Sequence, residues 1–270
     1  MSATCYLVGT PIGNLKDITL RALEILKTVD AIACEDTRKA SVLLNAYDIK
    51  KPLIRYDMHR EYEGTAAILR LLDENRSVAL ISDAGMPGIS DPGAVLVRRL
   101  RAGGYKVESV PGPTAVATAV SLAGLTQNGY VFAGFLPEKR RERDRITERL
   151  KNLPFPLVFY CAPHDLDDTL SYLYEKLGIR KLCVVKELTK LFETVYEGEL
   201  GSIEIGNKKG EFVLIVDGAS EGGSAPTDTD VETMLKDLIN GGMSKSEAVK
   251  YVAKATNLPK NDIYAITLKL

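Results

Sequence analysis

From residue 4 to residue 217 the chain alternates short β-branched apolar runs with longer stretches whose apolar residues recur every three or four positions. The short runs predict strands over 4–9, 31–35, 77–82, 106–111, 156–161, 181–187 and 211–217. Between the first two, Ile18, Ala22, Leu26 and Val29 keep helical spacing behind Asp17, which stands where an N-cap belongs. A βαβ start follows, and the continued alternation predicts an α/β fold with largely buried strands.

The pattern changes twice. Phe135, Leu136 and Pro137 lead into a charged segment, after which a second series of strands and helices begins, so two α/β lobes are expected, 1–137 and 138–217. The run 218–228 is rich in Gly, Ser, Ala and Pro, has no apolar period, and reads as a linker. Beyond it, 229–270 predicts a small three-helix unit. Two capping boxes, Thr229 with Glu232 and Ser244 with Glu247, open its first two helices, Gly241 and Gly242 close the first, and 257–259 separates the third. Three short helices with a tight turn suit either a helix-turn-helix or a small bundle that acts as a lid or dimer contact.

Composition narrows the class. Thirty-five basic and 36 acidic residues nearly cancel, so any contact with a polyanion must come from a local patch. No run approaches the roughly 18 apolar residues of a membrane span, and the start lacks the basic and apolar regions of a signal peptide. Cys5, Cys34, Cys161 and Cys183 are far apart without a CxxC pair and fall inside expected strands, which predicts buried reduced thiols in a cytoplasmic protein.

Candidate chemistry gathers in three loops, each after a predicted strand. VGTPIGN, residues 8–14, brings Gly9 and Gly13 before a helix but has neither dinucleotide nor P-loop spacing, and a plain strand-to-helix turn explains it equally well. SDAGMPGISDPG, residues 82–93, concentrates Gly, Pro, Asp and Ser where open α/β sheets place ligands. VPGPTA, residues 110–115, precedes an Ala-rich helix and fits simple core packing as well as a ligand contact.

Taken with CEDTR (34–38), GFLP (134–137), LVFYCAP (157–163) and ELTKLFE (187–193), these loops resemble, in order and wording, the tetrapyrrole-methylase superfamily. The EDTR and DAGMPGISDPG wording is closest to its branch of ribosomal RNA small-subunit methyltransferases. The resemblance implies the class III methyltransferase fold, two α/β lobes with a cleft that holds folded S-adenosylmethionine. It further implies a homodimer without a metal, acting by 2'-O-methylation on a cytidine of 16S rRNA, free or in the 30S subunit. Carried over by position, the cofactor contacts would be Ile12, Asp83, Met86, Thr114, Ala115, Cys161 and Leu188. The chain departs from the commonest family form at Arg55 to Arg60, where histidines are usual, at Cys161, where an acid is usual, and at Asp165, where arginine is usual.

Methyl transfer to a hydroxyl needs little from the protein beyond placement, exclusion of water and a general base. Glu35, at the end of the second strand, is the expected base or positioning group, with a salt-bridged strand end as the plainer alternative. Asp36 and Arg38 lie beside it, and Arg38 can instead grip a phosphate. His59 is the second candidate base, an isolated surface histidine the plainer alternative. Residues 138–151 carry seven basic and four acidic residues, and Arg140, Arg141 and Arg143 are candidate RNA contacts unless the segment is a solvated helix laced with ion pairs.

Overall fold

The computed structural model describes residues 3–125, 129–219, 228–256 and 260–267. These form two compact units, one of 1–151 with 155–217 and one of 152–154 with 218–270.

The first unit contains two five-stranded sheets. In the first sheet β1 (Thr4–Val8), β2 (Ala31–Cys34), β3 (Leu53–Arg55), β4 (Val78–Ile81) and β5 (Lys106–Val110) run parallel in the order β3-β2-β4-β1-β5. Side chains alternate between its faces, so β2 and β4 must be apolar throughout, as parallel strands covered on both sides are. Val8, Ile32, Cys34, Ala79 and Ile81 pack against α1 (Leu20–Thr28) and α2 (Thr37–Ala46). Cys5, Ala33, Val78 and Leu80 pack against α3 (Glu61–Asp73) and α4 (Ala94–Ala102). Burial of Leu26, Ile32, Ile68, Leu80, Leu96 and Leu100 stabilises these layers by about 1.5–3 kcal/mol per side chain.

Neighbouring strands β1 and β4 send their connections to opposite faces, β1 through α1 and β4 through α4. The crevice beyond their carboxyl ends is the topological switch point of an open α/β sheet.

The second sheet is mixed. Strands β6 (Val131–Phe135), β7 (Leu157–Cys161), β8 (Lys181–Lys186), β9 (Thr194–Glu199) and β10 (Phe212–Val216) are ordered β6-β7-β10-β8-β9, with only β6 and β7 parallel. Helix α5 (Ala115–Ala123) lies on one face against Val158, Cys183, Val185, Val213 and Ile215. Helices α6 (Arg140–Leu150) and α7 (Leu166–Leu177) adjoin the other, where Leu157, Phe159, Leu182, Leu214 and Val216 are buried with Leu150, Leu166 and Leu173.

Several expectations need correction. The lobe change does not fall at Pro137, because β6 already pairs with β7 and α5 already covers the second sheet. It falls after β5, in the VPGPT turn. Asp17 does not cap α1: it closes a 3₁₀ turn, and the Thr19 hydroxyl accepts from the Ala22 amide at 3.1 Å instead. All four cysteines lie in strands, and all are buried. Strands β3, β6 and β9 escaped the apolar-run reading for physical reasons. The short β3 and the alternating β9 are edge strands, and β6 is interrupted by a register shift between Phe132 and Gly134, whose φ is +68°.

The second unit packs α8 (Asp228–Asn240), α9 (Lys245–Thr256) and α10 (Lys260–Thr267) around Val231, Leu235, Val252 and Ile263. At the start of α9 the Ser244 hydroxyl accepts from the Glu247 amide at 3.3 Å while Glu247 accepts from the Ser244 amide at 3.3 Å, a reciprocal capping box. Gly242, at φ +94°, follows the end of α8. The Thr229 side chain, the linker residues 220–227 and the separator 257–259 lie outside the described residues.

Candidate active site

The three loops foreseen from sequence meet at the switch point. Gly9 donates its amide to the Val110 carbonyl at 3.1 Å, so the first loop is tied to the third. Thr10 and Gly85 exchange backbone hydrogen bonds at 2.9 and 3.1 Å, and the Thr10 hydroxyl donates to the Ser82 carbonyl at 3.2 Å, tying the first loop to the second. A Cβ on Gly9 would stand 2.7 Å from both the Gly112 Cα and the Met86 Sδ, so glycine there permits an approach of three chain segments.

The second lobe supplies the opposing wall. Ile12 is buried against Val116, Leu188 and their neighbours, and a Cβ on Gly13 would meet the Leu188 carbonyl at 2.8 Å. The ELTK segment is strained here, with Glu187 at φ +54° and Thr189 at φ +64°. Its conformation is held by Glu187, which accepts from Lys190 Nζ at 2.8 Å and the Glu211 amide at 3.0 Å, and by Glu193, which accepts from the Thr189 amide at 2.6 Å. The Thr189 hydroxyl beside Gly13 is buried without a hydrogen-bond partner among the described residues. A buried hydroxyl without a partner is an exception in a folded chain and marks this segment as one that a ligand or water would complete.

Of the expected cofactor residues, Ile12 and Leu188 are thus in one apolar cluster and Met86 packs on Gly9. Thr114 caps α5 by accepting from the Ala117 amide at 3.3 Å, with Ala115 as the first helical residue. Asp83 accepts from Lys39 Nζ at 2.8 Å and from the Asp36 amide at 3.2 Å. Cys161 is different. Its side chain is buried with Leu157 and Phe159 on the α7 side, the face away from Ile12 and Leu188, so only its backbone remains at the cleft edge. Tyr160, one position earlier, is the residue turned to the α5 side, edge-on to Phe132 at 4.8 Å between centroids. Strand alternation could have indicated this, had the facing helix been known.

The catalytic candidates divide likewise. Glu35 is half-buried at the end of β2, and its carboxyl is raised by burial and by the Asp83 charge, with Lys39 opposing. Asp36 is committed to Arg38, whose Nε and guanidinium nitrogen donate at 3.1 and 2.7 Å, and this pairing depresses the Asp36 carboxyl. Arg38 is exposed. His59 is also exposed, and its amide rather than its ring is engaged, donating to Asp57 at 2.9 Å. Sequence reading passed over Asp91, although it is the second aspartate of SDAGMPGISDPG. Burial, then repulsion by Glu35 and Asp83, raises its carboxyl to about 6 against the pull of Lys39.

Of the RNA candidates on α6, two are internally occupied. Arg140 donates to both oxygens of Glu175 at 2.6 and 2.7 Å, and Arg143 donates to the Pro137 carbonyl, both lying over the Tyr172 ring. Arg141 alone of the three is exposed without an ion pair among the described residues.

Residues 4–204 match the family of Tetrapyrrole (Corrin/Porphyrin) Methylases. The chain belongs to that family. Residues 225–270 match the RsmI C-terminal HTH domain. Relatives named "Ribosomal RNA small subunit methyltransferase I" from Bacillus subtilis and Xylella fastidiosa are 38% and 41% identical, over 96% and 97% of this chain and 92% and 97% of theirs. Among solved structures, diphthine synthase superposes with a TM-score of 0.64 at 13% identity, over 80% of this chain and 90% of that one. Uroporphyrin-III-C-methyltransferase from Thermus thermophilus gives 0.56 at 24%, over 79% and 94%. At such identities these structures show the fold alone.

Proposed function

We propose that this chain methylates 16S ribosomal RNA, transferring the methyl group of S-adenosylmethionine to the ribose 2'-hydroxyl of a cytidine. The observation that carries the reading is identity near 40% along almost the whole chain with relatives of that name, on a cleft whose three loops are all in place. Those loops suit the donor. Glycines 9, 13 and 112 open a close-walled cradle, Ile12, Met86 and Leu188 line it with apolar surface, and the Thr189 hydroxyl has an unmet hydrogen bond. Thr114 and Ala115 place the amino end of α5 beside it. When bound, the sulfonium supplies an electrophilic methyl carbon. The protein's part is to hold the reactants at attack distance and keep water out, while Glu35 orients the acceptor hydroxyl.

For the RNA, Arg141 is joined by Arg145 and Arg149 at helical spacing on α6. All three are exposed, and none forms an ion pair among the described residues, because the acids nearby are taken: Glu142 by Lys139, Asp144 by Arg140 and Lys176, Glu148 by Lys151. This stripe binds phosphates in the proposed complex. Among the described residues no helix is long and apolar enough to cross a membrane; a cytoplasmic homodimer acting on the 30S subunit is the assembly we propose.

Incubation with tritiated S-adenosylmethionine and 30S subunits from an unmodified strain, followed by nucleoside analysis, tests this. Label in 2'-O-methylcytidine is expected. Tight cofactor binding with no label in RNA would overturn the acceptor and direct attention to corrin, porphyrin or protein substrates.

A further inference from the structure

Among the described residues two tyrosine rings carry a guanidinium on their faces. Tyr172 is buried, and its arginines are committed, Arg140 to Glu175 and Arg143 to the Pro137 carbonyl. Tyr62, in the first turn of α3, is the opposite case. It is 72% exposed, and the Arg99 guanidinium of α4, 5.1 Å from its ring centroid, has neither a hydrogen bond nor an ion pair among the described residues. A cation over an exposed ring adds little to stability, whereas an exposed ring with a guanidinium beside it is a platform on which a nucleotide base stacks.

The platform stands next to the candidate site. Strand β3 pairs with β2 with Arg55 opposite Cys34, and the Tyr56 amide donates to the Cys34 carbonyl at 2.8 Å, so the segment that leads into α3 starts beside Glu35. Asp57 organises this segment. Buried, it accepts from Arg55 Nε at 2.6 Å and from the His59 amide at 2.9 Å, and its charge reaches Glu35. The turn it holds presents Met58, 75% exposed, and Arg60, which leads into the helix. Beyond Tyr62, Ala66 and Arg70 continue the same face of α3 at helical spacing, and both are exposed. Arg60, Arg70 and Arg99 are exposed without an ion pair among the described residues. The acids of the first turn are Glu61, whose charge acts on the buried Tyr56, and Glu63, and both favour the amino end of the helix.

We propose that Tyr62 and Arg99 hold an unpaired base of the RNA close to the methylated nucleotide, with Arg60 and Arg70 on the phosphates that flank it. Bases of a single strand stack on aromatic and guanidinium planes while its phosphates seek cations, and this face offers both. An acidic peptide would use the cations and leave the ring idle. Stacking on Tyr62 replaces the contacts a base loses when the strand is splayed open, and so keeps the strand beside the carboxyl edge of β2. The surface adds base contact in the first lobe to the phosphate contacts proposed for α6, and it rests on the rRNA reading above.

The chain contains no tryptophan, so Tyr62→Trp installs a single fluorophore on the platform, with Tyr174→Trp at another exposed tyrosine as the control. Emission from each protein is followed as short single-stranded oligoribonucleotides or deproteinised 16S rRNA is added. Binding is expected to quench the Tyr62→Trp protein and leave the control unchanged. Tyr62→Ala should bind 16S rRNA about tenfold more weakly, melt with wild type, and keep the single-turnover rate on saturating 30S subunits, while Tyr62→Phe should bind as wild type does. Arg60→Gln with Arg70→Gln should lower the slope of log affinity against log salt by about 2. A Tyr62→Trp protein whose emission ignores bound RNA, or a Tyr62→Ala protein with wild-type affinity, overturns the platform. So does a fall in melting temperature that accompanies the loss of affinity. Weaker binding to 30S subunits with unchanged binding to naked 16S rRNA overturns it in favour of a ribosomal protein as the partner. None of these results touches the rRNA reading while wild type labels RNA. A wild type that binds RNA without labelling it overturns that reading alone, and one that does neither overturns both.

Discussion

The two lobes bring opposite things to one cleft. The first, through the carboxyl ends of β2 and β4, contributes charge: Glu35, Asp83, Asp91 and the Lys39 that neutralises Asp83. The second contributes the apolar wall of Val116, Tyr160 and Leu188 and the strained ELTK turn. Carboxylates in open water stay ordinary acids, whereas burial and mutual repulsion raise Glu35 and Asp91 above that range.

The largest expected effect comes from breaking the junction itself. Gly112→Ala places a Cβ 2.8 Å from the Gly9 carbonyl, backbone against backbone, and should cost about 2–3 kcal/mol of stability with loss of cofactor binding. Denaturant titration and calorimetry measure both, and an unchanged midpoint would mean that the loops yield more than their tie implies. Next, replacing Arg141, Arg145 and Arg149 together by Gln should lower the slope of log affinity for 30S RNA against log salt by about 2. An unaltered slope would return α6 to the role of a solvated helix. Thr189→Val tests the second lobe. Because the native hydroxyl has no partner among the described residues, the variant should be as stable as wild type yet bind cofactor about tenfold more weakly. Equal weakening of both would make the hydroxyl structural.

The smallest effect sharpens the contribution of the first lobe. With the Asp91 carboxyl raised from 3.8 to about 6, the folded state holds a proton that the unfolded state releases between those values. Stability therefore falls as pH rises through that window and stays lower above it. Asp91→Asn removes the penalty. At pH 7.5 it should be more stable than wild type by about 1 kcal/mol, the bare shift being discounted for partial exposure. The advantage should disappear below pH 4, as thermal melts across the range would reveal.

Much of this was legible in the residues. Short β-branched and apolar runs located seven strands: six are central and covered on both faces, and the seventh, β5, is an edge strand marked by its valines. The Gly- and Pro-rich loops marked the ligand end of the sheet, because few other residues tolerate the required backbone angles. The edge strands β3 and β9 and the bulged β6 were not legible, since a half-covered or interrupted strand has no continuous apolar run. The site was half legible. Glu35 and Asp83 were singled out from recognisable motifs, whereas Asp91, in the same loop as Asp83, was not, because its burial beside Glu35 and Asp83 shows only in the folded chain. Arg140 and Arg143 looked as available as Arg141 until Glu175 and Pro137 were seen to occupy them.

By itself, then, the sequence determined local structure and family: strand alternation, glycine positions, the capping box at Ser244 and the order of the loops, all of which depend on near neighbours along the chain. Only the tertiary structure decided where the lobes divide, that Tyr160 rather than the Cys161 side chain faces the cleft, and which charges remain uncommitted. Those are properties of pairing and desolvation between residues distant in sequence, and the energy of a charge is set by what surrounds it in space.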